Sequence, residues 1–138
     1  MGTYVGFGRS NHFDVKDAEE FEKFIARFTE LKLLAVNEDE NTFCILDEGQ
    51  NGCLPDRMDD GEEFEEEIDF LQMISKHLKE EEGNIFVWRS IGYEKMKYLV
   101  GYTEAVDHNG KECWMNLDEF EKKCEKELGI IPDSRPEY

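Results

Sequence analysis

The chain has 138 residues, 39% of them hydrophobic, with ten Phe, five Tyr and two Trp. That is enough for one domain with a real core, and it excludes a disordered chain despite 36% charged residues. The formal net charge of −18 excludes attraction to nucleic acid or to an anionic membrane surface, and it suits a basic partner.

The first expected elements are a strand over Thr3 to Phe7 and a short one over Phe13 to Val15. Asp17 then stands three residues before Glu20, a pair that can satisfy orphan N–H groups at a helix start. Behind it Phe21, Phe24, Ile25 and Phe28 form one apolar stripe. Lys32 to Val36 and Thr42 to Leu46 read as a hairpin around the polar turn NEDEN. Residues 47–61, with Gly49, Gly52 and Pro55, read as a long, mobile polar loop. Asp60 and Glu63 repeat the capping pair, and Phe64, Ile68, Leu71, Ile74 and Leu78 predict a continuous second helix from Phe64 to Leu78. Ile85 to Ile91, Lys97 to Val106 and Lys111 to Met115 form a meander whose last turn, His108-Asn109-Gly110, carries the Asn-Gly signature of a tight hairpin. Asn116 and Glu119 open a third helix with the stripe Phe120, Cys124 and Leu128, stopped by Gly129.

The resulting order is β-α-β-β-α-β-β-β-α. It predicts an α+β fold in which three helices pack on one face of a mostly antiparallel sheet. One domain is expected over 1–131, followed by a flexible tail over 132–138.

Residues with chemical potential are present but unpatterned. Cys44, Cys53, Cys113 and Cys124 lack C-x-x-C spacing, and His12, His77 and His108 are scattered, so neither a zinc site nor any cofactor is expected. Cys44 and Cys113 read as core residues on strands, His77 as a helix residue at the core edge, and His108 as part of a turn. With no secretory signal or apolar run of membrane-spanning length, free thiols in a reducing cytoplasm are the expected setting. Gly6-Phe-Gly8 begins like a dinucleotide fingerprint, but the position of its third glycine is Asn11. Arg89, Lys95, Lys97 and Lys111, with Trp88, Tyr93 and Tyr98 nearby, read as ordinary strand charge and cross-strand aromatic pairs rather than as a nucleic-acid surface.

The acidity is regional. From Glu38 to Asp69 fourteen acidic residues stand against one base, Arg57. Within that region, DRMDDGEEFEEEIDF resembles a calcium loop when counted from Asp56, but Met58 takes a position that needs an oxygen ligand and Glu63 one that needs an aliphatic side chain. No metal is expected there. Capping accounts for Asp60 to Glu63 but not for Glu65, Glu66, Glu67 and Asp69, which continue into the expected helix with like charges at i,i+4. On that helix Glu62, Glu65, Glu66 and Asp69 share the face opposite Phe64, Ile68 and Leu71, so their carboxylates form a solvent-facing row that resembles a run of phosphates in charge.

Two segments resemble a known family. RSNHFDVKDAEEF and EKMKYLVGYTEAV are similar to the R-[ST]-N-x-F-x-V-K-D start and the E-K-[ML]-[RK]-Y-[LV]-V-G strand of small acidic proteins of unknown function carried by conjugative elements and phages of Gram-positive bacteria. Members have Gly- and aromatic-rich sequence where this chain has DEGQNGCLPDRMDD. The resemblance implies a setting on mobile elements and dealings with host defence, where acidic antirestriction and anti-CRISPR proteins are of similar size and charge.

The leading expectation is therefore a non-enzymatic acidic binding protein, a nucleic-acid mimic that offers Asp59, Asp60, Glu62, Glu65, Glu66 and Asp69 to a basic, nucleic-acid-handling protein. Two alternatives stay open: a mobile-element accessory protein whose acidity serves only solubility, and a small enzyme whose site is assembled across the loop and the meander.

Overall fold

The computed structural model describes residues 4–49, 52–55, 68–95 and 98–129. Among these residues seven strands form one antiparallel sheet, with three helices in the expected order. The strands are β1 (Tyr4–Ser10), β2 (Phe13–Asp14), β3 (Leu31–Asn37), β4 (Thr42–Asp47), β5 (Phe86–Glu94), β6 (Tyr98–Val106) and β7 (Glu112–Asn116). The helices are α1 (Ala18–Ile25), α2 (Phe70–Ser75) and α3 (Glu119–Leu128). β1 lies between β5 and β4, and the meander continues outward through β6 to β7. Phe43 of β4 pairs with both Phe13 of β2 and Ala35 of β3, so β3 closes the other edge.

The core forms on one face. Phe21, Phe24, Ile25 and Phe28 are buried by α1 and the turn after it, and they meet Phe70, Leu71, Ile74 and Leu78 from α2 and its exit. Beneath them lie Phe13, Phe43, Ile45, Phe86, Trp88 and Val106 of the sheet. The rings pack in mixed geometries, with Phe13 set edge-to-face against both Phe21 and Phe86 at ring separations of 5.5 and 5.2 Å. His77 stacks on Phe24 at 4.8 Å, at the core edge as expected but in the turn after α2 (Phe70–Ser75) and not on the helix, which ends before the expected Leu78.

Helix starts follow the side-chain chemistry. The Asp17 carboxylate accepts from Glu20 N at 3.1 Å, and Asn116 Oδ1 accepts from Glu119 N at 3.0 Å. Gly129 ends α3 with a positive φ of 72°. The NEDEN turn is one 3-10 turn, Glu38–Glu40, capped by the Asn37 side chain and ended by Asn41 in the left-handed region.

Three expectations need correction. The second helix does not run unbroken from Phe64: Ile68 and Asp69 are not helical, and Asp69 is extended and caps α2, accepting from Gln72 N at 3.3 Å. The expected cap at Asp60 and the calcium-like window from Asp56 lie outside the described residues. The loop after β4 is anchored at 52–55. Gly52 N donates to the Asp47 carboxylate at 2.6 Å, and Trp88 Nε1 donates to Gly52 O at 3.0 Å. Gly52 must be glycine: its φ is +77°, and a Cβ would approach Ser90 Oγ to 2.8 Å. Finally, the β6–β7 turn has one positive φ, at Gly110, because Asp107 accepts from Asn109 N and Lys111 N and makes a three-residue loop with a glycine bulge.

Candidate functional site

Three places could bear function: the acidic end of the covered face, the tyrosine cluster beside the anchored loop, and the open face of the sheet.

At the acidic end, Asp69, Glu104 and Glu112 line a cleft of about 370 Å³ with Leu54, Pro55, Ile68, Phe70 and Leu71. Glu104 sits on the covered side of β6, opposite Trp88 on one neighbour and Trp114 on the other. Burial pushes its carboxyl above the ordinary range, and the charges of Glu112 and Asp69 add to the effect. Gln72 Nε2 donates to Gly110 O at 2.8 Å and also to Glu112, tying α2 to the last hairpin. No ion pair among the described residues takes in any of the three carboxylates. Among the described residues no group of three His, Cys, Asp or Glu is arranged to hold a metal ion.

Of the six residues assigned to partner binding, only Asp69 is described. Asp59, Asp60, Glu62, Glu65 and Glu66 lie outside the described residues. Asp69 caps a helix instead of standing on its outward face, so it does not extend a helical row of carboxylates. Its acidity has a local structural cause.

The second place gathers phenols. Tyr4 and Tyr98 stack at 6.4 Å, and Tyr102 lies near Cys53 and Ser90. Burial pushes the Tyr102 phenol well up, Cys53 pushes it further, and the Ser90 hydroxyl offsets part of this. Burial and Cys53 also raise Tyr4. A phenol held neutral in this way donates hydrogen bonds and does not act as a base near neutrality. Trp88, expected among the meander aromatics, belongs to this buried side, whereas Arg89 points the other way. Cys113 is exposed, not buried as its strand position led one to expect, while Cys44 is buried.

The open face is the third place, and sequence reading passed over it. The β5 burial pattern alternates, with even-numbered residues covered and odd-numbered ones facing out, and the register carries this parity across four strands. One outward row is Phe7, Ile91, Gly101 and Leu117; Leu117 N donates to Gly101 O at 2.9 Å and its side chain lies over the glycine. On one side of it stand Arg9, Arg89, Thr103 and Met115, and on the other Val5, Tyr93 and Leu99. Val87, Ala105 and Cys113 complete the face. None of these positions is acidic, in a chain with 34 acidic residues. Ile91 is 63% exposed and Leu99 69%. Because Gly101 has no side chain, a groove of about 300 Å³ opens between Ile91, Met115 and Leu117, with Arg89 at its rim.

α3 adds to this. Its stripe exists as expected but covers nothing: Phe120 is 62% and Leu128 69% exposed, and no residue of α3 is buried. No helix among the described residues is long and apolar enough to cross a membrane. Compared with known families, with curated proteins and with solved structures, the chain matches none.

Proposed function

We propose that the protein is a non-enzymatic binding protein that presents its acidic region to a basic partner whose own task is to hold nucleic acid. The observation that carries this reading is the segregation of charge. Across β1, β5, β6 and β7 the open sheet face has two arginines and no acid, while Asp69, Glu104 and Glu112 converge without an ion pair among the described residues where the densest acidic stretch of the sequence precedes α2. Burial penalises the charged form of Glu104 and the neighbouring charges of Glu112 and Asp69 add to that, so a cationic surface at this end offsets the penalty on binding. The resemblance to small acidic proteins of mobile elements makes an inhibitor of a host defence system, of the anti-CRISPR or antirestriction kind, the most concrete form of the proposal. Cytoplasmic action belongs to the same reading.

The test separates charge from capping. Lysine at Asp69 would remove the α2 cap along with the charge, so the informative set is Glu62→Lys, Glu65→Lys and Glu66→Lys together with Asp69→Asn, which keeps a capping oxygen. The wild-type chain, immobilised, is expected to retain a basic nucleic-acid-binding protein from host lysate at low salt and to release it at high salt or to added DNA. The quadruple variant, folded by circular dichroism, is expected to retain none. Capture of the same protein by the variant at wild-type level would overturn the proposal.

A further inference from the structure

We infer that the open face of the sheet is the seat of α3 from a second copy of this chain, so that two copies form a reciprocal dimer, each laying its α3 across the other's strands. Two apolar surfaces lie uncovered among the described residues. The face built on Phe7, Ile91, Leu99 and Met115 is exposed, and so are Phe120 and Leu128 of the helix stripe, with Cys124 half-buried between them. They fit each other in kind: a shallow, acid-free groove with Gly101 at its floor, and an amphipathic helix of ten residues. In the monomer they do not meet, because α3 follows β7 directly at Leu117 and Asp118 and buries none of its own residues.

Charge favours this occupant. Arg9 and Arg89 stand along one side of the apolar row of the face, and Glu125 stands beside the stripe of α3, so a helix seated there brings opposite charges together at the rim. Elsewhere two chains of net charge −18 repel, whereas the outward positions of β1, β5, β6 and β7 carry two arginines and no acid. The area is also adequate. The large apolar residues of the face and the stripe leave on the order of 1,000 Å² exposed per copy, against about 800 Å² per partner in a standard interface. An exchange of equivalent surfaces about a twofold axis closes at two copies and leaves no free stripe.

Sedimentation equilibrium of the wild-type chain across a wide concentration range tests the inference. A dimer is expected, and it is expected to tighten with added salt, because screening weakens the repulsion between two acidic chains; capture of a basic partner by the acidic region weakens with salt, so the two can fail separately. Ile91→Lys on the face and Leu128→Lys on the helix are each expected to raise the dissociation constant by at least about tenfold, with monomer circular dichroism unchanged. Should Ile91→Lys misfold, Phe7→Lys reports on the same row. A wild-type chain that stays monomeric at every concentration overturns the inference and leaves the face to a different protein. A dimer that Leu128→Lys leaves as tight as wild type also overturns it, because the helix would then not be the occupant.

Discussion

The two faces of the sheet are built from the same strands, one residue to each side in turn, and they obey different rules. On the covered side Phe13, Phe43, Phe86 and Trp88 meet two helices and are removed from water. On the other side Phe7, Ile91 and Leu99 are nearly as apolar, and no described residue covers them. An antiparallel sheet with one wet face ordinarily alternates apolar inward with polar outward. Here the charge that should occupy the wet face has been displaced to the loops, the helices and the segment before α2, which is what separates a surface kept for contact from one kept for solubility.

The largest expected effect comes from cutting the same kind of side chain on each face. Phe86→Ala, on the covered side of β5, is expected to cost about 3–5 kcal/mol of unfolding free energy, whereas Ile91→Ala on the open side of the same strand, measured in a chain dilute enough to be monomeric, is expected to stay within about 0.5 kcal/mol of wild type. Urea unfolding of both variants decides it. A core-sized loss at Ile91 would mean that the face is covered within the chain itself, and the contrast between the faces would collapse.

A middling effect is expected where the covered face meets the anchored loop. A Cβ on Gly8 would come within 2.3 Å of the Trp88 ring and 2.5 Å of Gly52 O. Gly8→Ala is therefore expected to cost about 1–3 kcal/mol by forcing the ring and the loop apart. Trp114 is already 64% exposed, so any red shift in tryptophan emission of the folded variant would report Trp88 alone. An unshifted spectrum and unchanged stability would show that the loop does not depend on this close approach.

The covered face was largely legible in the sequence, and the open face was not, for a physical reason. Asp17 with Glu20, the α1 stripe and the Gly129 stop are local chemistry, complete within a few residues, and they appear where expected. The strand FVWRSIGYE is apolar in both parities, so its alternation cannot say which face is buried; that depends on where α1 and α2 fall across distant strands. The start of α2 was misplaced because two capping signals compete there. Asp69 and Gln72 have the same three-residue spacing as Asp60 and Glu63, and the nearer pair is the one that caps the described helix. With Asp69 a cap, the phosphate-like row loses the member that would have fixed its helical phase.

The smallest effect, and the one that bears on the acidic end, is a dependence on pH. Burial and the charges of Glu112 and Asp69 raise the Glu104 carboxyl in the folded chain. The folded state therefore holds this proton more tightly than the unfolded state does. Stability is lost as pH rises from the unfolded carboxyl range, about pH 4, through the raised folded value, and stays lower above it. Glu104→Gln removes the ionisation, so the variant is expected to match wild type in acid and to exceed it slightly at neutral pH, a small gain because the group is still partly solvated. Unfolding of the two proteins across that pH range gives the difference directly. A gap that is absent at neutral pH, or that widens toward acid, would show that burial and the neighbouring charges do not penalise the Glu104 carboxylate, and the acidic end would then differ from the open face in composition but not in the cost of its charge.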